Sequence, residues 1–297
     1  RNNYNWAYIK KYAKEGFLMK ISLKFIPVIF LLFIFIDSNK ILAKRAAIII
    51  DNSNKEVLFE INADTLNYPA SLTKIMTLYI VFDQIKKNNL FWDTKMQVSS
   101  VATSRSPSKL YLEENDYISV EDAVMALIVK SANDVATVIS EHISGNERDF
   151  AKLMTKYAKK IGMRKTTFKN ASGLPNRAQM TTARDISILS RALINDFPEE
   201  YKLFKIEKFK WKNKTYKSHN KLMKSYEGAD GIKTGYIKAS GFQLAFSAVR
   251  ENKRLIGIYF GGDSGKQRDK SLAFLMNKEF KELNINKNNK IVIKKNN

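Results

Sequence analysis

The segment from Tyr68 to Phe82 constrains the fold most, because a serine and a lysine stand at the start of a long apolar run. Pro69 is typical of the first turn of a helix. Ser71 and Lys74 are three positions apart, which places both side chains on one helical face. A serine hydroxyl becomes a nucleophile when a base takes its proton, and a lysine can be that base when burial or a second cation lowers its pKa.

The Ser-x-x-Lys spacing alone is weak evidence, because it occurs three times in a chain with 51 Lys and Arg residues. Ser106 precedes residues 110–112, a Leu-Tyr-Leu run whose alternation predicts a short strand. Ser218 follows a polar, lysine-rich stretch without a helix start. Ser71 is the one of the three that opens a long apolar helix. The alternative to a nucleophilic role is that Ser71 is a helix N-cap and that Lys74 lies on a solvated face.

Composition bounds the size and the partners of the protein. The 297 residues are 44% hydrophobic, which is enough for one large domain or two small ones with a real core. The absence of cysteine excludes disulfides and thiolate catalysis. The formal charge of +22 is compatible with nucleic acid, a membrane surface or an anionic polymer. Because no zinc-finger or RNA-binding signature is present, we expect no nucleic-acid partner and interpret the charge as a solvated basic surface.

Residues 205–216 alternate lysine with aromatic side chains. This pattern could indicate bases stacked on aromatic rings, as in proteins that bind single-stranded nucleic acid. A strand with one solvated face explains the alternation more simply, and we predict such a strand.

Residues 1–43 are predicted to be an upstream extension and a signal peptide. Met19 is followed by two lysines and a short apolar run over residues 25–36, and Ala43 offers a small residue for cleavage. The run is short for a membrane-spanning helix, which needs ~20 residues, although an uncleaved signal anchor stays an alternative. We therefore expect export to the periplasm or to the outer face of the cytoplasmic membrane.

The rest of the chain predicts strands at both ends and helices between them. A hairpin precedes the Ser71 helix, and two further strands precede a helix over residues 267–282. Helices are predicted between these ends over residues 71–88, 120–129, 135–143, 149–161 and 182–195. This order predicts an α+β fold, an antiparallel sheet flanked by helices with a helical insert. We assign residues 44–284 to one domain and residues 285–297 to a polar, basic tail.

Three short motifs occur in a characteristic order. They are Ser71-x-x-Lys74, Ser131-x-Asn133 and Lys233-Thr234-Gly235. The first opens a helix, the second lies between helices, and the third lies beside a predicted strand, as in class A β-lactamases and penicillin-binding proteins. With the Asn-Ala-Ser-Gly-Leu-Pro sequence at 170–175, the chain resembles the low-molecular-mass penicillin-binding proteins, the serine D-alanyl-D-alanine carboxypeptidases. The resemblance runs from about residue 45 to 280.

The resemblance implies a hydrolase that removes the terminal D-alanine from peptidoglycan stem pentapeptides. Ser71 would attack the carbonyl carbon of the penultimate D-Ala, with Lys74 as the base and Ser131 as the proton relay to the leaving amine. The backbone N–H groups of Ser71 and Tyr236 would form the oxyanion hole. The substrate-binding residues implied by the resemblance are Asn133, Lys233, Thr234, Gly235, Tyr236 and Arg268. For Arg268 the alternative is a surface arginine at a helix start.

Penicillins mimic D-Ala-D-Ala, so the resemblance implies that β-lactam antibiotics acylate Ser71. Class A β-lactamases use a glutamate to release this adduct, and residues 164–170, the corresponding stretch here, contain no carboxylate. We therefore expect slow release. A D,D-endopeptidase or a β-lactamase of the same fold stays an alternative, as does a non-catalytic wall-binding protein. The family often carries a C-terminal amphipathic anchor, and the apolar residues 291–293 are too short to predict one. Peripheral contact with the inner membrane stays open as a partner interaction.

Other hydrolase chemistries match the sequence poorly. Residues 262–265 read Gly-Asp-Ser-Gly, like the nucleophile motif of chymotrypsin-type proteases, but that chemistry needs a histidine base. His142 and His219 are the two histidines, and neither has the expected sequence around it. The chain also lacks His-Glu-x-x-His, so we expect no metal and no cofactor.

Overall fold

The computed structural model describes residues 45–295, and the surroundings of side chains through residue 284. The predicted signal segment therefore lies outside the described residues. The main sheet has five antiparallel strands, ordered β2-β1-β9-β8-β7. They are β1 (Ala46–Asp51), β2 (Val57–Ile61), β7 (Ala229–Ile237), β8 (Gly241–Arg250) and β9 (Lys253–Gly262). The predicted α+β fold is confirmed, since both ends of the chain build one sheet.

The helical insert lies between β2 and β7. Its main helices are α1 (Thr73–Lys86), α2 (Ser100–Thr103), α3 (Val120–Met125), α4 (Asn133–Ser144), α5 (Glu147–Ile161), α6 (Ala183–Asp196) and α7 (Pro198–Tyr201). Two small hairpins pair β3 (Lys95–Gln97) with β4 (Tyr117–Ser119) and β5 (Lys208–Trp211) with β6 (Lys214–Lys217). Helix α1 packs against α4, α5 and α6, which places the start of α1 inside the insert.

The main sheet is covered on both faces, and β1 shows why. Successive side chains of a strand point to opposite faces. Ile48 and Ile50 join the larger core with the helical insert, whereas Ile49 joins a second core with the last helix, α8 (Gly265–Lys295). This sheet therefore presents the third motif, on β7, between two layers of helices.

Helix starts follow the predicted capping chemistry. The Ser119 hydroxyl oxygen accepts the Asp122 N–H at 3.1 Å, and the Thr182 hydroxyl oxygen accepts the Asp185 N–H at 3.0 Å. Such caps satisfy N–H groups that have no partner inside the helix. Helix α5 ends before Gly162, which takes a left-handed φ of 98°.

The structure differs from the prediction at residues 110–112, which form no strand. The carboxylate of Asp134 accepts the backbone N–H groups of Leu110, Tyr111 and Leu112, at 3.1, 2.9 and 3.3 Å. These donors are thereby taken by one side chain instead of a neighbouring strand. The predicted strand at 110–112 is therefore wrong.

Two other segments differ in extent. Residues 205–216 contain the first strand and most of the second strand of the β5–β6 hairpin, where Phe209 and Tyr216 pair on the buried face. The prediction of one solvated face is thus correct, but the segment that was predicted as one strand forms two paired strands. Helix α8 continues to Lys295 instead of ending near residue 282, since no Gly or Pro follows Gly265 to end it. Within the described part of the chain, no helix combines the length and apolar character that a membrane span requires.

Candidate active site

Ser71 lies in a short 3₁₀ turn, Ala70–Leu72, that runs directly into α1. Ala70 takes the left-handed conformation, with φ of 45°, which a residue with a Cβ rarely adopts. Gly173 packs against this turn so closely that a Cβ on it would lie 1.8 Å from the Ala70 carbonyl oxygen. The turn that carries Ser71 is therefore fixed by a backbone contact from a distant loop.

Lys74 lies one turn after Ser71 and is completely buried. Its Nζ atom donates to Ser71 Oγ at 3.3 Å, to Asn133 Oδ1 at 2.7 Å and to the Ser172 carbonyl oxygen at 2.5 Å. The structure therefore brings the first two motifs into direct contact and adds a backbone acceptor.

Burial is the main cause that holds the pKa of Lys74 well below its usual value, and the positive charge of Lys233 adds to it. The carboxylates of Asp134 and Glu147 act in the opposite direction. A lysine in this environment loses its proton more readily than one in water, which a general base requires.

The second motif follows a π-helical turn, Ala126–Lys130. Ser131 leaves this turn in the left-handed conformation, with φ of 60° and ψ of 40°. Its Oγ atom is buried and has no hydrogen-bond partner among the described residues. Asn133 is held from its other side, because its Nδ2 donates to the Ser106 carbonyl oxygen at 2.8 Å. Ser131 thus keeps a hydroxyl available inside the site.

The third motif lies in β7. Lys233 is buried, and its Nζ donates to the Thr234 carbonyl oxygen at 3.3 Å. Burial, followed by the charge of Arg268, lowers the pKa of Lys233 to about 7. A Cβ added to Gly235 would lie 3.4 Å from the Ser71 nitrogen, so this strand passes directly beside Ser71.

Arg268 lies in the first turns of α8 and is buried, unlike a surface arginine. Its Nη1 donates to the Gln243 carbonyl oxygen at 3.0 Å, and its Nη2 pairs with the Asp269 carboxylate at 2.7 Å. These contacts aim the guanidinium at the cleft.

A cleft of about 970 Å³ joins these elements. Its lining includes seven of the nine predicted residues, namely Ser71, Ser131, Asn133, Thr234, Gly235, Tyr236 and Arg268. Lys74 and Lys233 lie behind this lining, each hydrogen-bonded as described above. Within the described part of the chain, Asp269 is the one carboxylate residue that lines the cleft, and Arg268 occupies it.

The cleft also contains residues that the sequence analysis set aside. Pro107, Ser108 and His219 line it, and they belong to the two other Ser-x-x-Lys segments. Burial, then the charges of Lys233, Lys130 and Lys74, lower the pKa of His219 to about 4, so its imidazole is neutral at neutral pH. No local pattern marks these residues, because distant packing brings them to the cleft.

A carboxylate does lie behind the loop at 170–175, although none lies within residues 164–170. Glu147 Oε1 accepts the Ala171 N–H at 3.0 Å, and its other oxygen pairs with Arg105. Glu147 is absent from the cleft lining, so it braces the loop from behind.

Comparison with known proteins gives consistent matches. The family model described as D-alanyl-D-alanine carboxypeptidase matches residues 35–264. The chain is 36% identical over 231 residues to D-alanyl-D-alanine carboxypeptidase DacC of Escherichia coli (strain K12), which covers 75% of this chain and 58% of that protein. The chain thus spans less than two thirds of the length of this relative.

Solved structures are similar as well. The D-alanyl-D-alanine carboxypeptidase DacD from Francisella tularensis has a TM-score of 0.76 and 32% identity, covering 77% of this chain and 68% of that one. Penicillin-binding protein D2 from Listeria monocytogenes in its ampicillin-bound form has a TM-score of 0.73 and 33% identity, covering 80% and 98%. Because the family model covers most of the chain, this protein belongs to the D-alanyl-D-alanine carboxypeptidase family.

Proposed function

We propose that the protein is a serine D,D-carboxypeptidase that removes the terminal D-alanine from peptidoglycan stem peptides and is acylated by β-lactam antibiotics. The observation that carries this proposal is the completely buried Lys74, whose Nζ lies 3.3 Å from Ser71 Oγ. The family match and the similarity to an ampicillin-bound structure support it.

In this mechanism Lys74 takes the proton of Ser71 as Oγ attacks the carbonyl carbon of the penultimate D-Ala. The backbone N–H groups of Ser71 and Tyr236 stabilise the negative charge that forms on the carbonyl oxygen. The carbon–nitrogen bond then breaks, and Ser131 relays the proton that Lys74 took from Ser71 to the amine of the leaving D-alanine, which leaves Ser131 and Lys74 as they were. Water hydrolyses the Ser71 ester and restores the enzyme.

Recognition of a free carboxylate makes this reaction a carboxypeptidase reaction. Thr234 and Arg268 line the cleft and the buried Lys233 lies behind this lining, so a hydroxyl and two cationic side chains are available to a carboxylate. Asn133 also lines the cleft and binds the peptide amide, while its Oδ1 accepts from Lys74 Nζ at 2.7 Å. Charge-assisted hydrogen bonds to a carboxylate are among the stronger polar contacts.

The peptidoglycan substrate implies that the protein works outside the cytoplasm, in the periplasm or at the outer face of the cytoplasmic membrane. Peripheral contact with the inner membrane fits the strongly basic chain, because anionic lipid surfaces attract lysine-rich proteins. The basic sequence of residues 1–43, with its apolar run, supports export.

The test is labelling of the purified protein with a fluorescent penicillin, beside Ser71→Ala, followed by intact mass. We expect one stable adduct per molecule on the wild type and none on the variant. D-alanine release from a pentapeptide with a free carboxyl end then identifies the reaction, and a cross-linked peptide dimer tests endopeptidase activity.

Three results would contradict the proposal. Rapid turnover of penicillin would indicate a β-lactamase, and cleavage of the dimer alone would indicate an endopeptidase. Folded wild-type protein without adduct, but with Ser71-independent binding to anionic wall polymer, would indicate a non-catalytic binding protein.

A further inference from the structure

Gln243 is a completely buried residue of β8 that lies opposite Gly235 of β7. Its Nε2 donates to the Tyr68 carbonyl oxygen at 2.7 Å and to Ser240 Oγ at 2.5 Å. Ser240 Oγ itself donates to the same Tyr68 oxygen at 3.1 Å. The chain just before the nucleophile turn is therefore tied to the sheet through two side chains.

The backbone of Gln243 makes a second connection. Its carbonyl oxygen accepts Arg268 Nη1 at 3.0 Å. One residue thus contacts the segment that carries Ser71, the strand that carries Gly235, and the arginine that lines the cleft.

The remaining atom of the side chain has an unusual environment. Gln243 Oε1 is buried and has no hydrogen-bond partner among the described residues. A Cβ on Gly235 would lie 3.0 Å from this Oε1 and 3.4 Å from the Ser71 nitrogen. The oxygen and the Ser71 nitrogen therefore both lie close to one side of Gly235, next to Tyr236, whose N–H is assigned to the oxyanion hole in the proposed mechanism. An unpaired buried acceptor costs free energy.

We propose that Gln243 is a positioning residue that sets the separation between the Ser71 N–H and the Gly235–Tyr236 strand, and that it must be uncharged to do so. This inference rests on the proposed function, since it concerns the oxyanion hole of that reaction. The Nε2 donor holds the nucleophile segment in place. A negative charge at the Oε1 position would oppose the oxyanion that forms nearby during acylation.

The test compares two variants of nearly the same size, Gln243→Glu and Gln243→Met. Both lose the Nε2 donor, but only Glu adds a charge. Arg268 Nη1 donates to the Gln243 carbonyl oxygen, and this positive charge favours an ionised carboxyl here. Acylation by a fluorescent penicillin is followed in stopped flow, which separates the acylation rate constant from the dissociation constant of the first complex.

We expect Gln243→Glu to lower the acylation rate constant by about 100-fold and Gln243→Met by about 10-fold, with little change in the dissociation constant. A role in packing alone predicts the opposite order, because Glu keeps the shape and polarity of Gln. Ser240→Ala removes one of the two donors to the Tyr68 oxygen and should give a smaller fall in the same rate constant. This variant tests the same contact if a Gln243 variant does not fold.

Ser247→Ala is the matched control, since Ser247 is buried in the same strand and accepts Arg254 Nη1 at 2.7 Å, away from the cleft. It should lower the melting temperature without changing acylation. Equal rate constants for Gln243→Glu and wild type, or a larger loss in Gln243→Met, would overturn the inference. Wild-type protein that forms no adduct would instead overturn the proposed function.

Discussion

Two buried lysines of the same cleft, Lys74 and Lys233, differ in how their ammonium groups are paired. Lys74 Nζ donates to three oxygens, at 2.5, 2.7 and 3.3 Å. Among the described residues, Lys233 Nζ has one acceptor, the Thr234 carbonyl oxygen at 3.3 Å. Burial lowers the pKa of both side chains.

The difference fits the two chemical tasks that the proposed mechanism gives to these lysines. Lys74 is fixed by protein atoms and keeps one contact for Ser71 Oγ, as a base must. Lys233 keeps donors unused beside Arg268, as a group that binds an anionic ligand must. Burial alone therefore does not identify a catalytic lysine; the hydrogen bonds that remain open decide its role.

Replacing each lysine by arginine gives the largest expected contrast. Lys74→Arg should lower acylation by about 1,000-fold, because a guanidinium stays protonated and cannot act as the base. Lys233→Arg should lower it by about 10-fold, because the positive charge is kept. Rates of penicillin labelling measure both. Similar losses in the two variants would contradict the division of tasks, and melting temperatures control for misfolding.

Alanine variants of two glycines compare the loop that packs against the turn before Lys74 with the strand that carries Lys233. Gly173→Ala should abolish labelling, since the new Cβ would lie 1.8 Å from the Ala70 carbonyl oxygen and the φ of 89° is strained for alanine. Gly235→Ala meets its nearest atoms at 3.0–3.4 Å, so the protein should fold and label slowly.

Labelling and thermal unfolding of both glycine variants check this pair. If Gly173→Ala labels as fast as wild type, the loop does not fix the nucleophile turn. If Gly235→Ala fails to fold, the strand is less adaptable than the contact distances indicate.

The pH dependence of D-alanine release sharpens the comparison further. In the proposed mechanism Lys74 acts without its proton, so kcat/KM should rise with pH as this proton leaves. Lys233 would bind the carboxylate with its proton, so kcat/KM should fall as pH rises through its pKa of about 7. Lys233→Arg should move the falling limb to higher pH, because arginine keeps its charge. If the falling limb of the pH profile is unchanged in Lys233→Arg, a group other than Lys233 causes it.

The free energy of unfolding should show the smallest difference between variants of the two lysines. Lys233→Met should raise the free energy of unfolding by about 1 kcal/mol, because a poorly paired buried charge is replaced by an apolar chain. Lys74→Met should lower it, because Asn133 Oδ1 and the Ser172 carbonyl oxygen lose a donor. Urea unfolding at neutral pH measures both, and equal shifts would contradict the difference in pairing.

Local sequence patterns predicted the elements well. The apolar run after Ser71, the cap at Ser119 and the stop at Gly162 depend on neighbouring residues, and the structure has a helix boundary near each. The strand predicted at 110–112 was wrong because the Asp134 carboxylate, far along the chain, takes its N–H groups. Patterns of residue type carry no information about such a distant partner.

The candidate site also combines residues that local motifs predicted with residues that only distant packing brings in. Three motifs with known spacing indicated Ser71, Ser131 and Lys233, and the structure brings their segments to one cleft. The Ser172 carbonyl oxygen and the Gln243 side chain could not be predicted. The first is a backbone atom that every residue has, and the second lies in a strand where its neighbours are simply buried.

The left-handed backbone of Ala70 has a practical consequence. A non-glycine residue in this conformation costs about 1–3 kcal/mol, and the conformation persists only where the surrounding structure enforces it. Gly173, more than a hundred positions along the chain, is part of that enforcement. A partly folded chain would thus lack this backbone geometry at Ser71. If the proposed function holds, a penicillin titration counts the correctly folded molecules in a preparation rather than the total protein.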